Sequence, residues 1–286
     1  MSEKPADNPV YPPVGRCIYC GATRYSPTRL KLGDEHIIPE ALDGKLVLPE
    51  ASCFECERSI NWFEHYCLTK TFGPMRYALG MRSKRPQNRP KTLPLELLIG
   101  ENWVTKEVPI DWAPVMIFMP VFDPPEILAG GPPTRQNIYT AKFLHRELAP
   151  GDEFKLGETF AATKGRSYKV SVDGIRFALQ VAKIAHGYAF AERSGLECFN
   201  PVLTDTILRR PGATPLPYLI GGLQEIGPPS PENIEITLRR GITKFGVTWL
   251  VDIRLFPWIG APTYRVVVSV ENPPPALQLL AKGSAY

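Results

Sequence analysis

Two C-x-x-C pairs, CIYC at 17–20 and CFEC at 53–56, constrain this chain more than any other feature. Each pair offers two sulfurs from one tight knuckle, and zinc takes four such soft ligands at about 2.3 Å. Cys17, Cys20, Cys53 and Cys56 are therefore the candidate ligands of one structural Zn²⁺. Gly21 directly follows the second cysteine, where a knuckle needs a residue that tolerates positive φ. Between the pairs lies an acid joined to a histidine, Glu35-His36, followed by Ile37, Ile38 and Pro39. Reactive side chains thus sit inside a clamp.

The local signals predict a hairpin and then a helix. Asp43-Gly44 marks a turn and Lys45 to Leu48 a return strand. Pro49, Glu50 and Ser52 are helix-start residues, placing Cys53 and Cys56 on the first turns. Glu57, Asn61 and His65 then recur at i, i+4 and i+8 and share one face. Neighbouring strand residues point to opposite faces, so Glu35 and His36 can share a site only if the hairpin bends or bulges there.

The order CIYC, DEHIIPEALDG, ASCFEC resembles the zinc-stapled branch of the HNH endonucleases, over roughly residues 15–66. The resemblance implies a ββα-metal core that hydrolyses phosphodiester bonds in nucleic acid, leaving 5′-phosphate and 3′-hydroxyl ends. On that basis His36 is the general base and Glu35 a ligand of one catalytic Mg²⁺ or Mn²⁺. A histidine titrating near about 6.5 suits proton abstraction, and a carboxylate suits a hard cation. The family's second ligand, usually asparagine, directly follows the last cysteine. Here that position is Glu57, with Asn61 one turn on as the reserve. Two other readings stand beside the enzyme: a zinc-dependent nucleic-acid-binding module without chemistry, and a regulatory or interaction protein with a decayed nuclease core.

Charge bears on the partner. Net charge is +4 with a pI of about 8.7, compatible with a polyanion without requiring one. Arg24, Arg29 and Lys31 precede the hairpin, and Arg82, Lys84, Arg85 and Arg89 lie in an acid-free stretch between His65 and Leu95. These are the candidate phosphate contacts, with DNA favoured over RNA. Six cysteines, four of them in C-x-x-C pairs, fit a reducing compartment better than a disulfide framework. With no apolar leader at the N-terminus and no long apolar run, the expectation is a cytoplasmic protein without a membrane partner.

The predicted fold class is α+β, divided into a flexible arm (1–15), a zinc-stapled module (16–75), a basic linker (76–94) and a β-rich α+β domain (95–286). The last is also a candidate homo-oligomer surface. Proline, 31 of 286 residues, is about twice as frequent as usual, which favours short elements. Val115 to Phe122 reads as a strand interrupted by Pro120, 122–134 as a loop, and 151–165 as a turn with strand-like material. Asp173 caps a packing helix over about 175–194, with Phe177, Val181, Ile184 and Tyr188 as its apolar stripe, Lys183 and His186 turned away, and Gly195 as its stop. Ile234–Leu238, Val247–Phe256 and Tyr264–Val270 supply an antiparallel sheet beneath it. His65, His145 and His186 read as structural, and Cys67 and Cys198 as buried small hydrophobes.

Overall fold

The computed structural model describes residues 11–83, 85–133, 142–166, 171–193, 199–223, 227–274 and 277. It is a mixed α+β structure with antiparallel sheets. Strand β1 (Gly33–His36) pairs with β2 (Val47–Ser52), and helix α1 (Phe54–Tyr66) follows at once. The helix starts later than the turn residues suggest. Pro49, Glu50 and Ser52 belong to β2, and Cys53 takes the N-cap position in an extended conformation. A π-helical segment, Cys67–Thr71, leads into α2 (Gly73–Ala78).

Next come β3 (Thr92–Ile99), β4 (Asn102–Pro109), β5 (Val115–Val121), a single turn α3 (Glu126–Ala129), β6 (Lys142–Ala149), α4 (Glu153–Phe160) and β7 (Ala162–Arg166). They form a β4-β3-β7 sheet and a β5-β6 pair. Pro120 does not interrupt β5. It pairs opposite Phe143, and its carbonyl accepts the Tyr264 hydroxyl at 2.7 Å. Its missing N–H is tolerated in a two-stranded pair, where one edge of each strand carries no ladder. Within 122–134, α3 interrupts the loop. At 153–160 a helix stands where strand-like material was expected, because the Asp152 carboxylate accepts the Lys155 N–H at 3.0 Å and caps it.

Helix α5 (Gly174–Arg193) matches the predicted packing helix, and Asp173 caps it by accepting the Ile175 and Arg176 N–H groups at 3.0 and 3.1 Å. Gly195 and Cys198 lie outside the described residues. The closing strands β8 (Ile220–Gly222), β9 (Ile234–Thr243), β10 (Gly246–Leu255) and β11 (Thr263–Val270) form an antiparallel sheet in the order β8-β11-β10-β9. Helix α5 packs on all four of these strands and also on α1.

That double packing covers the side of α5 opposite its apolar stripe. Lys183 and His186 lie there and are 2% and 0% exposed, against the hairpin and α1. Arg176 lies 4.2 Å from the ring centres of both Trp62 and Tyr66 on α1. The apolar side carries Phe177, which touches Phe72, Phe122 and Tyr264. One continuous core therefore runs from the first knuckle to β11, with a separate small cluster of Leu93, Leu95, Leu97, Val108, Ala113 and Leu156. Tyr11 and Val14, at the end of the N-terminal arm, are tied to Glu192 and to the Pro49 carbonyl. Among the described residues no helix is long and apolar enough to cross a membrane.

Phe177 is the ring shared by the two halves of that core. Phe177→Ala is expected to cost about 3–5 kcal/mol and to lower the stability of hairpin and sheet together, in a single urea transition. Separate transitions by tryptophan fluorescence and far-ultraviolet circular dichroism would show the halves to be independent.

Candidate metal centre and adjoining cleft

The four cysteines meet as their spacing suggests. One sulfur from each of Cys17, Cys20, Cys53 and Cys56 lies within 4.8 Å of the others, with Cys20 and Cys53 Sγ 3.5 Å apart. A tetrahedron with Zn–S bonds of about 2.3 Å sets its sulfurs about 3.8 Å apart, so the donor type and spacing fit zinc. Among the described residues this is the one convergent group of three or more Cys, His, Asp or Glu ligands. The first knuckle closes through Gly21 N–H to the Cys17 carbonyl at 2.9 Å, and Gly21 has a φ of 77°. The Cys17 and Cys56 thiols donate toward Cys20 and hold its pKa down to about 2, while the shared hydrogen bond pushes Cys17 up to about 12 and Cys56 higher still. Cys20 is the exposed member of the four.

Two contacts anchor the knuckle to the fold. Ile18 N–H donates to the Ala51 carbonyl of β2 at 2.9 Å. On the opposite side, His186 Nε2 meets the Ile18 carbonyl at 2.9 Å and its ring stacks on Tyr19. Burial pushes the His186 pKa down to about 4, so the ring is neutral near pH 7 and Nε2 carries the donated proton.

The hairpin does bulge, but one step earlier than the reactive pair requires. Gly33 pairs with Ser52 and Glu35 with Leu48, so the irregularity falls at Asp34. Opposite it Glu50 adopts a φ of 52°, and its N–H donates to the Asp34 carboxylate at 3.1 Å. Glu35 and His36 then continue as a regular strand paired to Leu48 and Val47. Glu35 is 6% exposed and buried against α5, whereas His36 lines an open cleft of ≈ 250 Å³. The walls of that cleft include Asn61 and Glu64 from α1, Glu40, Arg76 and Arg82.

Lys183 connects these parts. Its ammonium sits 2.8 Å from Glu35 Oε1 and 3.2 Å from Glu64 Oε1, and donates to the main-chain carbonyl of His36. Burial alone would lower the lysine pKa, but the two carboxylates, Glu35 foremost, outweigh it and raise it. Glu35 is also raised: its own burial exceeds the pull of Lys183, helped by the like charge of Glu64. The ammonium is the better compensated of the two, because it has two acids and Glu35 has one cation. Glu64 Oε1 has only this ionic contact, out of line for a hydrogen bond, and His36 Nδ1 is buried with no hydrogen-bond partner.

Of the metal ligands read from sequence, Asn61 borders the same cleft as His36. Glu57 does not; it accepts the Tyr25 hydroxyl at 2.8 Å. Glu35 and Glu57 therefore do not meet as a shared cation site. The oxygen-bearing side chains lining the cleft are instead Glu64, Asn61 and Glu40, and His36 Nδ1 is buried beside them without a hydrogen-bond partner. Sequence reading passed over Glu64 and Lys183. Glu64 lies seven residues after Glu57 on the same helix face, the signal by which it was accessible.

The basic residues separate likewise. Arg82 lines the cleft, with Nη1 3.8 Å from Glu40. Arg85 is exposed and Arg89 half-buried, while Lys84 lies outside the described residues. Arg24, Arg29 and Lys31 are exposed before β1, with Arg29 over the Tyr25 ring at 4.4 Å and Lys31 3.5 Å from Glu50. Arg76 is a structural residue: buried, it donates to the carbonyls of Ala41, Leu68 and Arg82 at 2.6, 2.7 and 3.1 Å and fixes the cleft wall.

Elemental analysis should find about one zinc per chain, falling below about a tenth in Cys56→Ser. Trypsin should then cut at Arg24 and Arg29 in the variant much faster than in the zinc-loaded protein. Zinc retained at full occupancy after that substitution would rule out the four-sulfur site.

No family model, no curated protein and no solved structure matches the chain.

Proposed function

We propose that this chain is an endonuclease of HNH type, hydrolysing phosphodiester bonds in nucleic acid, with DNA the preferred substrate. The reading is carried by His36, an imidazole bordering an open cleft beside the oxygen donors Asn61 and Glu64 and the guanidinium of Arg82. His36 takes a proton from the water that attacks phosphorus, a task suited to an imidazole near neutral pH. Arg82 holds a phosphate oxygen at the rim, and exposed Arg85 extends the cationic track along the backbone. Glu64 and Asn61, with Glu40, would hold Mg²⁺ or Mn²⁺, which supplies neutralisation of charge on the departing oxygen. A structural zinc on the four cysteines would fix the hairpin and α1, which bring His36 and Asn61 to the same cleft.

Binding without hydrolysis is a second reading, favoured by the pairing of Glu35 with Lys183, which departs from the acid's role in the family resembled. A plasmid-nicking assay across Mg²⁺, Mn²⁺ and chelator separates the two. Wild type is expected to nick in a divalent cation, and His36→Ala to lose at least about 10³-fold while keeping its zinc and circular dichroism. Arg82→Ala should raise KM for the plasmid more than it lowers kcat. Nicking undiminished in His36→Ala would remove the mechanism, and salt-sensitive binding with no nicking in any cation would establish the second reading.

A further inference from the structure

We propose that Lys183 is the resident cation of the Glu35 position, so that Glu35 is a positioning residue held out of divalent-metal binding while Glu64 and Asn61 provide the metal-facing oxygens. This deepens the nuclease reading and rests on it for the identity of the site. Three observations carry it. The Lys183 ammonium is 2.8 Å from Glu35 Oε1, and the two side chains are 2% and 8% exposed, so the carboxylate is closed off from the cleft by protein. Glu35 is absent from the cleft lining, whereas Glu64 and Asn61 are part of it. The same ammonium donates to the His36 carbonyl, so the Lys183–Glu35 pair holds the end of β1 on which the imidazole is mounted.

The charges agree with this division. A dication on Glu35 would share one buried carboxylate with an ammonium already in contact, and two cations at that separation repel strongly in a desolvated setting. Glu64 differs. Its side chain is 25% exposed and borders the cleft, so it can serve Lys183 from one side and a hydrated cation from the other. Two carboxylates to one ammonium also leave the cluster with one excess negative charge, which favours a further cation on the open side.

The test is a Mn²⁺ titration of the zinc-loaded full chain, reading free Mn²⁺ by electron paramagnetic resonance, with plasmid nicking followed in parallel. Glu64→Gln should weaken Mn²⁺ binding about tenfold or more, and Glu35→Gln should leave it within about threefold. Glu35→Gln should nevertheless lower kcat for nicking about tenfold with KM for plasmid unchanged, the split expected of a residue that positions His36. Lys183→Met should bind Mn²⁺ about tenfold more tightly than wild type, and adding Glu35→Gln should abolish that gain. A tenfold loss of Mn²⁺ affinity in Glu35→Gln alone would overturn the proposal, as would a folded Lys183→Met that gains none. Should Lys183→Met fail to fold, Glu35→Gln in the otherwise wild-type chain decides the matter. Absence of nicking by wild type counts against the nuclease reading, and the Mn²⁺ titration is still read on its own terms.

Discussion

The hairpin, α1 and α5 meet at one buried ammonium. Lys183 reaches Glu35 on β1, Glu64 on α1 and the main-chain carbonyl at the end of β1, from a helix more than a hundred residues later in the chain. Removing an ammonium from water is expensive, and a single buried carboxylate repays it only with good geometry. With an effective dielectric near 20, each unit pair at about 4 Å contributes about 4 kcal/mol of attraction. Two acids and a carbonyl thus make burial tolerable, and no single one of them can be removed without exposing the imbalance of the rest. The arrangement fixes which way the hairpin faces α5 more firmly than an apolar contact would, since hydrophobic burial has no direction.

The four-sulfur cluster and α5 are coupled in the same way. A knuckle, a two-stranded hairpin and one helix bury too little to stand alone without a staple. Here they have both a staple and a backing. His186, one turn after Lys183, holds the Ile18 carbonyl inside the first knuckle, and Arg176 grips Trp62 and Tyr66 on the exposed flank of α1. One face of α5 therefore carries three polar anchors to the N-terminal elements, and its apolar stripe carries Phe177 onto β11. The continuous core from Cys17 to the closing sheet follows from that two-sided helix.

The features legible in sequence were those set by local chemistry. The C-x-x-C spacing points to the sulfur cluster, Asp173 to the start of α5, and the alternation at Ile234–Leu238 with the apolar runs at Val247–Phe256 and Tyr264–Val270 to β9, β10 and β11. The misreadings arose where a distant partner decides. Lys183 and His186 do stand opposite the apolar stripe, but nothing within α5 announces that a second layer covers that side and buries them. Glu64 carries only a helical spacing from Glu57 as a sequence signal, and its tie to Lys183 is made by the fold. Glu57 stands at the position the family resemblance gives a ligand, and the fold adds the Tyr25 hydroxyl as a donor to its carboxylate. The helix at 153–160 differs in kind, since Asp152 belongs to a Gly-Asp turn in the sequence and serves in the fold as the cap of that helix.

The period of two along a strand explains why the site is divided as it is. With the bulge at Asp34, β1 is regular from Glu35 to His36, so their side chains leave on opposite faces. One face meets α5 and is dry; the other meets the cleft and is wet. A carboxylate on the dry face must be neutralised by the protein itself, and Lys183 does so. An imidazole on the wet face borders the cleft instead. Moving the bulge by one residue would exchange the two, burying the imidazole against an ammonium and opening the carboxylate to solvent cations. The left-handed turn at Glu50, bonded to Asp34, is what holds the register that keeps them apart.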